Sequence, residues 1–194
     1  MIVLNAHRIN HGENPVLRTR DTDFFFERKV MQTDAASAIC ELLSTRLPKY
    51  LGFPKASWQS EATRAIQVLT PTKKGDCGVW MLNQLLQAQF NPADAHKKER
   101  VRGDTTFREG DKVMQTRNNY SLEWKKEDVF GWEDGQGVFN GDIGILEDID
   151  DKEKSLMVNY SGTYVFYPYE DLSDISLAYA LSVHKAQGSE YQIV

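Results

Sequence analysis

The sequence contains little of what marks a secreted, membrane-bound or thiol-dependent protein. Its two cysteines, Cys40 and Cys77, are separated by a spacing that matches no CxxC metal or redox motif. We therefore expect two free thiols in a reducing compartment. The longest strongly apolar stretch, residues 175–183, is far short of the roughly 20 residues that a membrane helix needs, and no basic-then-apolar leader opens the chain. These absences favour a cytoplasmic protein.

Several catalytic and metal-binding motifs are also missing. The sequence contains no GxxxxGKS/T phosphate loop and no cluster of Asp, Glu and Lys arranged as a metal-dependent nuclease site. His7 and His11 have the spacing of two zinc ligands on a helix, but no nearby cysteine and no HExxH glutamate completes a site. We therefore predict no catalytic centre and no metal site within this chain.

The composition is that of an ordinary folded protein, with an uneven distribution of charge. Hydrophobic residues make up 41% and charged residues 26% of the chain, a composition that predicts a folded rather than a disordered protein. The net charge of −5 argues against broad nonspecific coating of nucleic acid. It divides into +4 for residues 1–105, −8 for residues 106–172 and −1 for residues 173–194. This break predicts a change of module near residue 105.

Residues 1–105 alternate between helical and apolar extended patterns, which is typical of an α/β layer with a largely parallel sheet. The expected elements are a helix over 2–9 ending at His11-Gly12, a strand over 24–26, an amphipathic helix from Asp34 as N-cap to Pro48, a strand over 65–69, a polar loop over 72–78 and a helix from Val79.

Residues 106–172 instead predict a small β-barrel of SH3-like or OB-like size. The five expected strands are 112–116, 138–139, 143–146, 156–160 and 164–167. Asn140-Gly141 and Ser161-Gly162 are strong signals for tight turns, because asparagine and glycine tolerate positive φ. Residues 121–136 are interpreted as a long excursion within the barrel. From residue 173 the α/β portion is expected to resume, and residues 191–194 look like the start of a strand that the natural chain continues.

The most specific segment is residues 177–190, LAYALSVHKAQGSE. Hydroxyl, imidazole and ammonium groups donate to phosphate oxygens, glycine lets a backbone N–H approach a phosphate, and a glutamate accepts from a ribose hydroxyl. The alternative is that the His-Lys pair lies on a solvated helix and the glutamate is a capping partner.

This segment resembles motif V of superfamily 1 helicases in the RecD/TraA form, S/T-V-H-K-x-Q-G-S-E. The resemblance implies that Ser182, His184 and Lys185 contact DNA, and that the next four residues contact nucleotide: Gln187, Gly188, Ser189 and Glu190. Ser182 stands where the family often has threonine. Ala186 stands where it often has serine, so a contact through that second hydroxyl would be lost.

Two further segments resemble the same family. Residues 67–87, QVLTPTKKGDCGVWMLNQLLQ, are similar to its strand, loop and helix with VL-S/T-P and LN-x-x-LQ, and this likeness implies DNA contacts by Thr70, Thr72, Lys73 and Lys74. The alternative is a solvated loop with two surface lysines. Residues 110–144 resemble the family's SH3-like insertion. Within it, Asn118 and Tyr120 suit base-edge bonding and stacking on single-stranded nucleic acid.

The resemblance implies an α/β fold: a partial RecA-like (P-loop NTPase-type) second motor domain, residues 1–105 and 173–194, with an inserted small SH3-like β-barrel, residues 106–172. It further implies part of an ATP-dependent 5′ to 3′ DNA helicase. The partners would be single-stranded DNA and a first motor domain of the same parent chain, and ATP and Mg²⁺ would be cofactors of the parent alone. Without Walker motifs and an arginine finger, this chain by itself is expected to be inactive.

The sequence leaves one rival function open. The acidic β-barrel could be a noncatalytic protein-interaction module, with Trp124, Phe130 and Trp132 as a binding edge, although aromatic packing within a hairpin explains them as well. For the helicase hypothesis, the sequence predicts a specific geometry. Thr72, Lys73, Ser182 and His184 should share one face overlooked by Asn118 and Tyr120, while Gly188 and Glu190 face away.

Overall fold

The computed structural model describes residues 1–17, 23–52, 54–129 and 131–194, with Lys55, Ala56 and Glu61 described by their backbone alone. The helical elements are α1 (Ile2–Asn10), α2 (Gln32–Glu41), a π-helical turn (Leu42–Arg46), α3 (Leu47–Leu51), α4 (Lys55–Ala65), α5 (Val79–Phe90) and a 3-10 helix (Tyr169–Asp174). The strands are β1 (Val68–Thr70), β2 (Glu99–Arg102), β3 (Thr105–Arg108), β4 (Lys112–Gln115), β5 (Asn119–Asp128), β6 (Gly131–Val138), β7 (Ile143–Asp150), β8 (Ser155–Tyr160), β9 (Thr163–Pro168), β10 (Ile175–Leu177) and β11 (Ala180–Ser182).

The first helices follow the predicted pattern with shifted boundaries. Helix α1 ends at Asn10, and Gly12, two residues later, has the expected left-handed conformation with a φ of +76°. Helix α2 begins two residues before Asp34, with Met31 at its cap. Pro48 does not stop the helical path; it follows the π-helical turn directly and falls in the first turn of α3.

No strand forms at residues 24–26, so that prediction is wrong. Phe25 and Phe26 are exposed, and the Phe25 ring packs edge-to-face on Tyr50 at 5.9 Å between centroids. Three apolar residues in a row make a strand only when a neighbouring strand offers its hydrogen bonds. Here the nearest parallel pair, β1 with β11, forms a two-stranded sheet by itself.

The mixed α/β structure is dominated by a seven-stranded antiparallel sheet with the order β10-β4-β7-β8-β9-β5-β6. We call residues 112–177 the β module. The sequence predicts five short strands, and two features of the sheet differ from that prediction. Residues 121–136 are not an excursion, since they pair within the β5–β6 hairpin, and β10 lies beside β4 although the sequence places the return of the α/β portion at residue 173.

Outside the β module, β1 and β11 form a smaller parallel unit. The strands pair in register from Val68 with Ala180 to Thr70 with Ser182, and an isolated parallel bridge joins Ile66 to Ile193. Helix α5 packs on this unit through Leu82 and Leu86, which are fully buried. One hydrophobic core runs continuously from these helices into the β module, so the two parts bury surface against each other rather than folding as separate cores.

A buried carboxylate fixes the β module to the helical part. Asp111, immediately before β4, accepts hydrogen bonds from Gln87 Nε2 (2.6 Å), Asn91 Nδ2 (2.7 Å), the Arg108 backbone N–H (2.7 Å) and the Tyr179 hydroxyl (2.9 Å). These four donors come from α5, the segment after it, the β3–β4 turn and the β10–β11 connection. Three of the four donors are side chains distant from Asp111 in sequence, so this set of partners is a product of the tertiary fold.

Candidate nucleic-acid interface

Two loops leave the same edge of the β1–β11 pair, because parallel strands end side by side. Thr70 pairs with Ser182 at the carboxyl ends, and the Val183 N–H donates to the Thr70 carbonyl at 3.1 Å. Asn83 of α5 holds β11 in place, accepting from the Ala180 N–H (3.0 Å) and donating to the Ala180 carbonyl (2.9 Å). The asparagine of the LN-x-x-LQ pattern thus forms hydrogen bonds with the backbone of the strand that leads into residues 182–190.

The loop after β1 is folded back onto the start of α5. The Val79 and Trp80 N–H groups donate to the carbonyls of Thr72 (3.0 Å) and Lys73 (3.3 Å), and Lys74 Nζ lies 5.8 Å from the centre of the exposed Trp80 ring. Thr72, Lys73 and Lys74 are exposed.

Thr70 differs from the other predicted contacts in this loop. Its side chain is buried, and its hydroxyl donates to the Cys77 carbonyl at 2.6 Å. Thr70 therefore closes the loop, and its hydroxyl is not presented to a ligand.

Residues 182–190, which we call the V segment, begin at the last residue of β11 and continue as successive turns over 183–188 rather than as a helix. Ser182 Oγ accepts from the Lys185 N–H at 3.3 Å, and the Ala186 side chain is buried beneath the turns. His184 is exposed at the outer surface of the segment. This arrangement leaves the polar groups of the segment facing the β module and solvent.

A polar cleft of about 380 Å³ lies between the V segment and the β6–β7 turn. Its lining residues are Asn140, Gly141, Asp142, His184, Lys185, Gln187, Gly188 and Ser189. The sequence predicts that Gly188 faces away from His184, and the cleft corrects that expectation, because consecutive tight turns bring both residues to one concave surface. Glu190 is exposed and is absent from the cleft lining.

Lys185 connects the V segment to the β module. Its Nζ donates to Asn140 Oδ1 at 2.5 Å and to the Thr116 carbonyl at 3.2 Å. No carboxylate in the described part of the chain forms an ion pair with Lys185. Two of the three ammonium donors are therefore occupied by neutral oxygens of the β module, which the sequence did not indicate.

The β6–β7 turn that receives Lys185 is firmly anchored. The Gly141 N–H donates to the carbonyl of the buried Gln115 at 2.8 Å, and the Gln115 N–H donates to the Asp142 carbonyl at 2.9 Å. The Tyr167 hydroxyl in turn donates to Gln115 Oε1 at 2.7 Å. Gly141 has a φ of +100°, as the predicted turn requires. The turn is confirmed, whereas the side-chain role of Asn140 was missed.

Beside this turn lies an exposed aromatic edge, which we define as Asn118, Tyr120 and Phe139. The Asn140 N–H donates to Asn118 Oδ1 (2.9 Å), and Asn118 Nδ2 donates to the Tyr120 hydroxyl (3.1 Å). The rings of Tyr120 and Phe139 meet edge-to-face at 6.1 Å, with 69% and 53% of each residue exposed. The sequence predicts a role for Asn118 and Tyr120. It predicts only a strand position for Phe139, so the exposure of this ring was not expected.

Other parts of the described structure offer little for ligand chemistry. The described residues contain no group of three or more His, Cys, Asp or Glu side chains placed to hold a metal ion. No helix among them is long and apolar enough to cross a membrane. His11 Nδ1 lies 2.8 Å from the His7 carbonyl, so this ring bonds within its own helix. Phe130, part of the predicted aromatic trio, lies outside the described residues.

Residues 82–160 match the family model described as the ATP-dependent RecD-like DNA helicase SH3 domain. The match begins in α5 and ends with β8, and the antiparallel sheet is consistent with an SH3-like insert. Residues 82–160 are therefore similar to the SH3 domain of RecD-like DNA helicases.

Three curated proteins are each similar to about two thirds of the chain. The chain is 37% identical over 67% of its length to the ATP-dependent RecD2 DNA helicase of Deinococcus radiodurans. It is 31% identical over 66% of its length to an uncharacterized protein of Methanocaldococcus jannaschii, and 27% identical over 64% to the RecBCD enzyme subunit RecD of Buchnera aphidicola. The chain spans only 16%, 12% and 19% of these relatives' lengths. Partial homology to RecD2 and RecD helicases thus covers about 65% of the chain.

Proposed function

We propose that this chain forms part of the second, RecA-like motor domain of an ATP-dependent 5′ to 3′ DNA helicase and supplies a stretch of its single-stranded DNA track. The observation that carries the proposal is the cleft between the V segment and the β6–β7 turn. It joins a segment of motif V type to a β module of the RecD-like helicase SH3 family. Both loops that leave the β1–β11 edge open toward solvent, where ligands of parallel sheets collect.

The charged and aromatic groups suit the two parts of a single strand of DNA. Lys73 and Lys74 are exposed in the loop after β1 and would attract the phosphate backbone. Tyr120 and Phe139 expose ring faces on which bases would stack, with Asn118 between them and the V segment. The net charge of the β module is negative, so we expect one narrow contact edge rather than a wide groove.

Nucleotide binding would use the far end of the V segment. Gly188, with a φ of +83°, leaves its backbone N–H open to a phosphate, Ser189 offers a hydroxyl donor, and Glu190 offers an exposed acceptor for a ribose hydroxyl. Gln187 lies beside them in the cleft. These groups fit half of an ATP–Mg²⁺ site, and a first motor domain of the same parent would supply the phosphate loop and the catalytic groups.

The DNA-binding part of the proposal is tested by replacing Tyr120 with alanine and measuring fluorescence anisotropy of a labelled oligo(dT). Loss of one stacking platform should weaken binding by roughly five- to 150-fold, because stacking contributes about 1–3 kcal/mol per base. The matched control is Tyr50→Ala. Tyr50 is equally exposed at 70% and also meets a phenylalanine edge-to-face, but it lies in the helical part of the chain.

Equal losses for both variants, or no binding by the unaltered chain, would contradict the proposed DNA track. The ATP-site half of the proposal needs the complete helicase: Glu190→Gln there should raise the ATP concentration needed for half-maximal unwinding and leave the Kd for DNA unchanged.

A second candidate function is protein binding by the β5–β6 hairpin, and exposed apolar groups at its end favour it. Val129 is 92% and Trp132 60% exposed, and β6 is the end strand of the sheet. In the oligo(dT) assay, Trp132→Ala should leave DNA binding unchanged if the hairpin serves a protein partner. A loss equal to that of Tyr120→Ala would assign the hairpin to DNA.

A further inference from the structure

The proposed DNA track requires the V segment and the aromatic edge to keep a fixed relative position. They belong to different parts of the chain, and beyond Ser182, the last residue of β11, the V segment has no helical or strand ladder. The contact between Lys185 and Asn140 spans 45 positions in sequence, and the contact between Lys185 and the Thr116 carbonyl spans 69. A single side chain thus joins the V segment to Thr116 and Asn140, which flank the aromatic edge in sequence.

Hydrogen bonds continue from this ammonium group to the exposed ring. Asn140 accepts from Lys185 through Oδ1 and donates through its backbone N–H to Asn118, whose amide then donates to the Tyr120 hydroxyl. Residue 140 takes part through its side-chain oxygen and its backbone N–H, and Asn118 through both atoms of its amide. A shift of Lys185 therefore acts on residue 140 and, through its backbone, on the geometry at Asn118. The anchored β6–β7 turn makes the intermediate position rigid.

We infer that Lys185 is a positioning residue that sets the aromatic edge against the V segment through Asn140 and Asn118, rather than a ligand of the DNA phosphates. This inference rests on the proposed function and assigns Lys185 a role different from the one its motif implies. The inference is based on the hydrogen bonds that Lys185 already makes. An ammonium group that donates to two protein oxygens has only one N–H left for a phosphate.

The two roles predict opposite results for Asn140→Ala. If Lys185 positions the edge, removing its acceptor should weaken oligo(dT) binding by at least about twofold, the lower end of the range over which members of one hydrogen-bond network couple. The Lys185→Met variant should show a similar loss, and the double variant should be no weaker than either single variant. If Lys185 binds phosphate, Asn140→Ala frees the ammonium group, so affinity should stay constant or rise.

Salt dependence and base stacking provide independent readouts. For a positioning role, Lys185→Met should keep the slope of log Kd against log salt, whereas loss of a phosphate contact lowers that slope by about 0.7. Quenching of a 2-aminopurine base at saturating protein should fall in Lys185→Met and Asn140→Ala. Asn140→Asp, which keeps the oxygen acceptor and the backbone N–H, should retain it.

The charge control is Lys152→Met, an exposed lysine in the turn at the opposite end of β7. It should leave slope, affinity and quenching unchanged. A reduced slope in Lys185→Met together with unchanged binding by Asn140→Ala would overturn the inference.

A DNA-free measurement separates this inference from the proposed function. Hydrogen exchange of the amides at residues 118–120 and 139–141 should accelerate in Lys185→Met and not in Lys152→Met, whether or not the chain binds oligo(dT). Faster exchange without DNA binding would retain the positioning contact and reject the DNA track. Unchanged exchange at both segments would reject the positioning role itself.

Discussion

The buried lysine at the start of β4 provides a direct test of how the β module joins the helical part. Lys112 is 4% exposed, and its Nζ donates to the Ile66 carbonyl at 2.9 Å, next to the first strand of the parallel pair. No carboxylate in the described part of the chain forms an ion pair with it. Burial lowers the pKa of Lys112 from 10.5 to about 8, because the charged form loses its hydration.

The size of the effect follows from this difference in pKa. A drop from 10.5 to about 8 corresponds to about 3 kcal/mol between the protonated and neutral forms in the folded state. Below the folded pKa, both folded and unfolded chains carry the proton, so the folded state bears the full penalty. Between the two pKa values the unfolded chain binds more protons, so the free energy of unfolding rises with pH.

Urea denaturation followed by tryptophan fluorescence would measure this rise. Between about pH 7 and about pH 9.5, Lys112 should contribute roughly 2 kcal/mol of added stability. Tyrosines with a raised pKa, such as Tyr160 and Tyr179, and the thiol of Cys40 act in the opposite direction near the upper limit, since they ionise more readily in the unfolded chain. We therefore compare the protein with Lys112→Met, in which these opposing groups are retained.

The difference between the two proteins isolates Lys112. Relative to Lys112→Met, the unaltered protein should gain roughly 2 kcal/mol over that pH range, whereas the exposed-site variant Lys152→Met should follow the unaltered protein at every pH. A difference that stays constant with pH would refute the reasoning, because it would mean that Lys112 keeps an ordinary pKa and that its ammonium group reaches water.

Two further predictions concern stability and use the same denaturation assay. Asp111→Ala should lower the free energy of unfolding by about 3–5 kcal/mol, because four buried donors lose their acceptor. Tyr179→Phe removes one of these bonds and should lower it by about 1–2 kcal/mol. Equal losses for the two variants would show that the four bonds are not the source of the effect. Gly144→Ala should cost at least about 2 kcal/mol, since overpacking a close backbone contact is expensive, and its new Cβ would lie 2.7 Å from the Asn159 carbonyl oxygen; an unchanged midpoint would mean that β7 and β8 separate freely there.

The sequence by itself determined the features that depend on neighbouring residues. The glycine stop of α1, the helix from Val79 and the turn at Asn140-Gly141 follow from local conformational preferences, and all three are present. The V segment, with residues 67–87 and 110–144, likewise indicated a resemblance to RecD-type helicases, and the matched family model and relatives are RecD-like. These signals are local, so they survive without knowledge of the fold.

The β5–β6 hairpin was missed because its sequence lacks the usual alternation of apolar and polar residues. Most of its residues are exposed, Leu122 and Val138 being buried exceptions, so burial on one face does not mark the pattern. Its strands are defined by backbone pairing of β5 with β6 and β9 instead. Pairing partners lie on other strands, and a pattern within one strand does not reveal them.

Only the tertiary structure decided which polar groups meet. Asp111 collects donors from four separate segments, and Lys185 reaches Asn140 rather than open solvent. The sequence of a motif of this type is the same whether the lysine ammonium group faces a phosphate or a carbonyl. The choice depends on which oxygens the folded chain brings within hydrogen-bond distance, and a buried polar group must find such a partner because leaving it unpaired costs about 1–3 kcal/mol.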